Sequence, residues 1–89
     1  MPASALPSLD VRSEIRRIIR DRLGVVDAAI NPESLFIEDL DADSLDLLEL
    51  TLCFEEAFDI DMEDEDVRTI RTVQDAIACV ERHIAAPRR

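Results

Sequence analysis

Apolar residues recur at helical spacing in three separate stretches of the chain. Val11, Ile15, Ile18, Ile19 and Leu23 fall at i, i+4, i+7, i+8 and i+12, one stripe of a first helix with Asp10 as its N-cap and Gly24 just past its end. A second stripe, Leu47, Leu50, Phe54 and Phe58, follows Asp43, a good N-cap, with Ser44 and Leu45 opening the first turn. The third runs through Val73, Ala76, Ile77, Val80 and Ile84 behind Thr72, which with Asp75 imitates a capping box. A short helical turn is expected within EDEDVRTI, with Val67 and Ile70 pointing inward.

The second helix carries more apolar surface than one neighbour can cover. Leu45, Leu48 and Leu52 form another line on a different side of it, flanked by Asp46, Glu49, Glu55 and Glu56. So wide a surface either packs against two neighbours or leaves leucines for a partner.

From Gly24 to Ala42 the pattern breaks into a long connection with a turn signal at Asn31-Pro32. A structureless loop of that length sits poorly in a small domain, but Leu35, Phe36, Ile37 and Leu40 are available to pin it to the core. The expected fold is all-α: a small irregular four-helix bundle, three main helices plus one short helix, with a long loop between the first two. Residues 1–9 read as a flexible N-terminal tail, 10–86 as the domain, and 87–89 as a C-terminal tail beyond Pro87.

Composition sharpens this. Eighty-nine residues fill one core, and with three Phe and no Trp or Tyr that core is aliphatic. The net charge is −11, and every cation is an arginine. Fifteen of the 21 acids lie between residues 33 and 66, with no arginine between Arg22 and Arg68, while Arg12, Arg16, Arg17, Arg20 and Arg22 crowd the first helix. Such a field repels nucleic acid and anionic lipid and attracts basic protein surfaces. The N-terminal MPASALPSL has neither the basic start nor the apolar run of a signal peptide or membrane span. Cys53 and Cys79 make no CxxC or other metal-ligand spacing and read as reduced thiols in the cytoplasm, small hydrophobes in role.

The catalytic inventory is poor. Ser44 lacks a base: lysine is absent, and the single histidine, His83, sits near the end of the last helix, where it would face the helix dipole. No catalytic residue is assigned, and the chain reads as a non-enzyme. Asp39, Asp41 and Asp43 imitate the start of a calcium loop, but Ser44 replaces the required Gly and Leu50 the required Glu, so no metal site is assigned. What remains for Ser44 is either a plain first-turn residue or an acceptor for an attached group at the positive end of a helix. Spacing alone leaves both open.

The stretch FIEDLDADSLDLLELTLCFEEAFDIDMEDEDVRTIRTVQDAI resembles the bacterial acyl carrier protein family, in which a D-S-L motif carries phosphopantetheine on its serine. The likeness extends from about Val11 to Ile84, through LGV at 23–25, SLFIEDL at 34–40 and the TVQDAI opening of the last helix. The resemblance implies that Ser44 receives the arm from coenzyme A through a phosphopantetheinyl transferase. It implies a monomeric carrier of thioester-bound acyl groups in fatty acid or related lipid biosynthesis. Polyketide, modified-lipid or amino-acid transfer pathways are the alternative, with an acidic docking module lacking the arm as a further one.

The same resemblance makes Asp43, Leu45, Asp46, Leu48, Glu49, Leu52, Glu55 and Glu56 the face that meets basic acyl synthases and acyltransferases. It also implies that an acyl chain can fold back between the helices. Two departures stand out: Asp41 occupies a position where the family commonly has Gly, and Met62-Glu63 a place where Pro is common. Asp tolerates left-handed backbone better than most residues, so the fold is expected to survive and partner choice to shift.

Overall fold

The computed structural model describes residues 8–85. The expected tails fall mainly outside these residues. The order is α1 (Ser8–Leu23), a single 3-10 turn (Asp27–Ala29), α2 (Ser44–Phe58), α3 (Asp64–Thr69) and α4 (Val73–Ala85). The all-α bundle expected from periodicity is therefore observed, and α1 packs against both α2 and α4 while α3 leans on α2. One boundary differs. α1 begins at Ser8, so Asp10 lies within its first turn instead of preceding it; no glycine or proline between Pro7 and Gly24 stops the helix from extending that way.

The core is drawn from the three stripes. Val11, Ile15, Ile18 and Ile19 of α1, Leu50 and Phe54 of α2, and Val73, Ala76, Ile77 and Val80 of α4 are all buried. Leu23, Leu47 and Phe58 pack at its edge. Ile84 does not follow its stripe: it is 46% exposed. Cys79 is buried as a small hydrophobe, whereas Cys53 is half-buried and accepts a hydrogen bond from Arg22 Nε at 3.1 Å.

Helix α1 ends at Gly24, which takes φ +68° and donates its N–H to Arg20 O. The left-handed conformation suits a residue without Cβ. Helix α2 ends on a non-glycine residue in the same region, Asp59 at φ 56°, a stop the apolar pattern did not reveal. At the start of α4, Asp75 N–H donates to Thr72 Oγ1, and Asp75 Oδ2 accepts from the N–H groups of Thr72 and Arg71. Burial alone would raise the Asp75 carboxyl; these hydrogen bonds outweigh it and hold the group below its usual range.

The long connection is ordered by three kinds of contact. Ile30, Phe36, Leu40 and Ala42 insert into the core, and each large side chain so buried contributes about 1.5–3 kcal/mol. Leu35 forms an isolated antiparallel bridge with Thr72: Phe36 N–H donates to Arg71 O, and Val73 N–H to Ser34 O, each at 3.0 Å. Ser34, itself buried, accepts from Asn31 N–H and donates to Ala29 O. The bridge imposes extended backbone, and successive side chains then alternate in direction. Ser34 and Phe36 turn inward, Leu35 is half-buried, and Ile37 is 53% exposed, contrary to its expected anchoring role. Arg16 ties the 3-10 turn back to α1, donating to Ile30 O and pairing with Asp27.

His83 also departs from expectation. It is half-buried, and its Nε2 lies 2.8 Å from Asp66 Oδ2 on α3, so it joins two helices instead of facing a helix end in solvent. Burial would raise the Asp66 carboxyl, but the Glu63 N–H, His83 and the nearby Arg82 together hold it below its usual range.

Candidate functional site

The N-terminus of α2 is closed by two carboxylates. Asp43, in extended conformation at φ −110° and ψ −175°, accepts from Asp46 N–H through Oδ1 at 2.8 Å. In return, Asp43 N–H donates to Asp46 Oδ2 at 3.1 Å. This reciprocal arrangement caps the helix without using Ser44, whose side chain is exposed at the first helical position.

Directly before it, the backbone makes the turn foreseen for Asp41. That residue takes φ 62° and is exposed. Ala42 behind it is buried, and its N–H donates to Phe36 O at 2.9 Å. The turn therefore anchors Ala42 in the core and lifts Ser44 to the surface two residues later.

Ser44 lines the rim of a groove of about 640 Å³. Phe36, Ile37, Leu47, Val67 and Ile70 supply apolar walls from the long connection, α2 and the α3 region, while Arg68 and Arg71 bring positive charge to a chain that is otherwise acidic here. The groove, unlike the serine, was not resolvable from spacing, since it needs α3 and the Leu35–Thr72 bridge in place.

The second line of leucines is open. Leu45, Leu48 and Leu52 are 61%, 47% and 54% exposed. Asp43, Glu49 and Glu56 beside them are exposed as well, whereas Asp46 and Glu55 are half-buried. Both half-buried acids have structural work: Asp46 closes the cap, and Glu55 Oε2 accepts the Met62 N–H at 2.7 Å. One of the residues flagged as a departure acts similarly. Glu63 donates its N–H to Asp66 Oδ2 at 3.0 Å, a hydrogen bond that proline cannot make.

Among the described residues, no helix is long and apolar enough to cross a membrane. The arrangement thus presents an uncommitted hydroxyl at a capped helix start, a groove beside it, and an acidic helix face with exposed leucines.

The chain is similar to known proteins over most of its length. A family model described as the phosphopantetheine attachment site matches residues 13–80. The chain is 46% identical over 74 residues to the acyl carrier protein of Solidesulfovibrio magneticus, covering 83% of this chain and 95% of that protein. It is 49% identical over 72 residues to the acyl carrier protein of Nitratidesulfovibrio vulgaris, covering 81% and 95% respectively. In three dimensions it is similar to the crystal structure of an acyl carrier protein from Thermotoga maritima, with TM-score 0.74, 28% identity, and coverage of 86% of this chain and 89% of that one. With the family model spanning most of the chain and two relatives matched over nearly their full length, this protein belongs to the acyl carrier protein family, whose members are phosphopantetheine-bearing carriers and not enzymes.

Proposed function

We propose that Ser44 is the residue to which the phosphopantetheine arm is joined, and that the chain presents acyl groups to enzymes of fatty acid or related lipid biosynthesis. The observation that carries this reading is the cap built from Asp43 and Asp46, which leaves the Ser44 hydroxyl exposed and without a capping role. A phosphodiester joined there meets the positive end of α2, while the neighbouring Asp43 and Asp46 repel it and favour an outward stance.

When attached, the arm supplies a terminal thiol on which acyl groups ride as thioesters. The protein's own contribution is to hold the attachment point at the surface, to offer the adjacent groove to an acyl chain, and to display a docking face. Phe36, Leu47, Val67 and Ile70 are the apolar surfaces that would shelter such a chain. Asp43, Leu45, Asp46, Leu48, Glu49, Leu52, Glu55 and Glu56 are the proposed contacts for a phosphopantetheinyl transferase and for basic acyl synthases and acyltransferases, encountered in the cytoplasm. Exposed leucines beside acids suit an interface in which charge steers and apolar contact holds.

A specialised pathway, such as polyketide, modified-lipid or amino-acid transfer, is a second reading. It is favoured by Asp41, which adds an exposed carboxylate three residues before Ser44 where relatives of this family commonly have Gly. The test of the main reading is intact mass after incubation with coenzyme A, magnesium and a broad-specificity phosphopantetheinyl transferase. Wild type is expected to gain one phosphopantetheine and Ser44→Ala none; equal gain by both would reject Ser44. A docking module without the arm would instead keep its biological activity as Ser44→Ala.

A further inference from the structure

Away from Ser44, α3 and α4 bring together three side chains of the kind that bind transition metals. Asp66, Cys79 and His83 place a carboxylate oxygen, Sγ and a ring nitrogen all within 4.8 Å of one another. Cys79 and His83 are four residues apart on α4, so they lie one above the other on a single helix face. The C-x3-H spacing of Cys79 and His83 thus departs from the expectation that the cysteines have no metal-ligand spacing; the third member comes from another helix and is invisible in the sequence.

We propose that Asp66, Cys79 and His83 form a binding site for a zinc-type divalent cation that clamps α3 to α4. Nitrogen, sulfur and carboxylate oxygen are the donors Zn²⁺ prefers, and tetrahedral bonds of about 2.0–2.3 Å require donor separations of about 3.3–3.8 Å. The present spacing, with Asp66 Oδ2 and His83 Nε2 at 2.8 Å and all three donors within 4.8 Å, needs shifts of about 1 Å or less to reach them. The surroundings are partly dry: Cys79 is buried, and the Asp66 and His83 side chains are only 18% and 25% exposed.

Asp66 is already oriented from outside the set by the Glu63 N–H, the kind of supporting contact that steadies metal ligands. A cationic side chain is already drawn to this position: Arg82 Nη2 lies 3.5 Å from Asp66 Oδ1 and 3.7 Å from Cys79 Sγ. With its side chain 62% exposed, Arg82 is free to swing into solvent as the ion arrives. Binding breaks the Cys79 S–H bond, sends the proton to solvent and forms a metal–thiolate bond. His83 Nε2 gives up to water the proton it shares with Asp66, with Nδ1 taking one up where it is bare, so that His83 joins through Nε2 as the neutral imidazole protonated on Nδ1, and the Asp66–His83 hydrogen bond is exchanged for one bond from each to the ion. Water completes the fourth position.

The site also touches function, because Val67, Arg68 and Ile70 of the α3 region line the groove beside Ser44. Fixing α3 to α4 would stiffen that wall. The proposal does not depend on what Ser44 carries, and the experiment keeps the two apart by using full-length chain whose intact mass shows no attached arm. Phosphine-reduced protein is titrated with Co²⁺. A sulfur-to-cobalt charge-transfer band with tetrahedral visible absorption is expected, bleached on addition of Zn²⁺.

Cys79→Ser is expected to lose the band and Cys53→Ser to retain it. Asp66→Asn and His83→Gln, at less buried positions, guard against a folding defect and are expected to weaken Co²⁺ binding about tenfold or more. Arg82→Ala is expected to tighten it. No charge-transfer band in wild type, a band that survives Cys79→Ser, or one with affinity unaltered by both Asp66→Asn and His83→Gln would overturn the site; adventitious cobalt on the acidic surface yields no sulfur band.

Discussion

Asp43 and Asp46 exchange hydrogen bonds across the first turn of α2, each carboxylate accepting the other's backbone N–H, at 2.8 and 3.1 Å. Ser44 sits between them and shares in neither. The stability cost of mutation should divide accordingly. Asp43→Ala is expected to destabilise the protein by about 0.5–2 kcal/mol through loss of the cap. Ser44→Ala should stay within about 0.5 kcal/mol of wild type, as surface substitutions do. Denaturant unfolding of the unmodified proteins measures both; a Ser44→Ala cost equal to that of Asp43→Ala would show that the hydroxyl does cap the helix.

The left-handed turn at Asp41 predicts a substitution that stabilises. Glycine adopts φ 62° without a Cβ penalty, and one exposed negative charge leaves a crowded field, so Asp41→Gly should raise stability by about 0.5–1 kcal/mol. Asp41→Val, β-branched and poorly suited to positive φ, should lower it by more than about 1 kcal/mol. Thermal melts of the pair decide this by their opposite signs.

The two glutamates proposed for docking should not behave alike. Glu49 is exposed and its carboxylate attracts Arg22 only across the surface, so Glu49→Arg should slow association with a basic partner enzyme by about tenfold at low salt, with the deficit shrinking as salt screens it. Glu55→Arg removes the acceptor for Met62 N–H as well, and should lower the melting temperature by more than Glu49→Arg does. Stopped-flow association at two ionic strengths, beside melts, separates the effects.

The Asp75 cap carries a pH signature. Its carboxyl is held below the ordinary value, so its stabilising contribution is complete above the unfolded pKa of about 3.9 and is lost as pH falls through the lower folded value. Asp75→Asn should therefore be less stable than wild type at neutral pH, with the gap closing below about pH 4. Urea unfolding of both proteins from pH 7 to pH 2 measures it, and a gap that widened in acid would reverse the sign of the argument.

The parts legible from sequence were those governed by local chemistry. Helical stripes, the Asp43 cap, the Thr72–Asp75 box, Gly24 and the tolerance for Asp41 each follow from residues within about one helical turn of one another. What escaped depends on distant chain segments meeting. The Leu35–Thr72 bridge sets which of Phe36 and Ile37 is buried; α3 supplies Asp66 to His83; and the groove needs both. Asp59 in the left-handed region was missed because Asp occurs there less often than Gly and has no apolar signature. Within the candidate site, Ser44 and the leucine line could be found by motif and spacing, while the half-burial of Glu55 could not, since its backbone partner, Met62 N–H, lies beyond the end of α2.

Among the described residues, Ser34 is buried with its hydroxyl engaged by Asn31 and Ala29, but Ser13 on α1 is exposed as Ser44 is. The decisive measurement is fragmentation mass spectrometry of the wild-type chain after transferase treatment, locating the added phosphopantetheine on the sequence. Fragments that place it on Ser44 alone are the predicted result. Its appearance on any other residue would contradict the account.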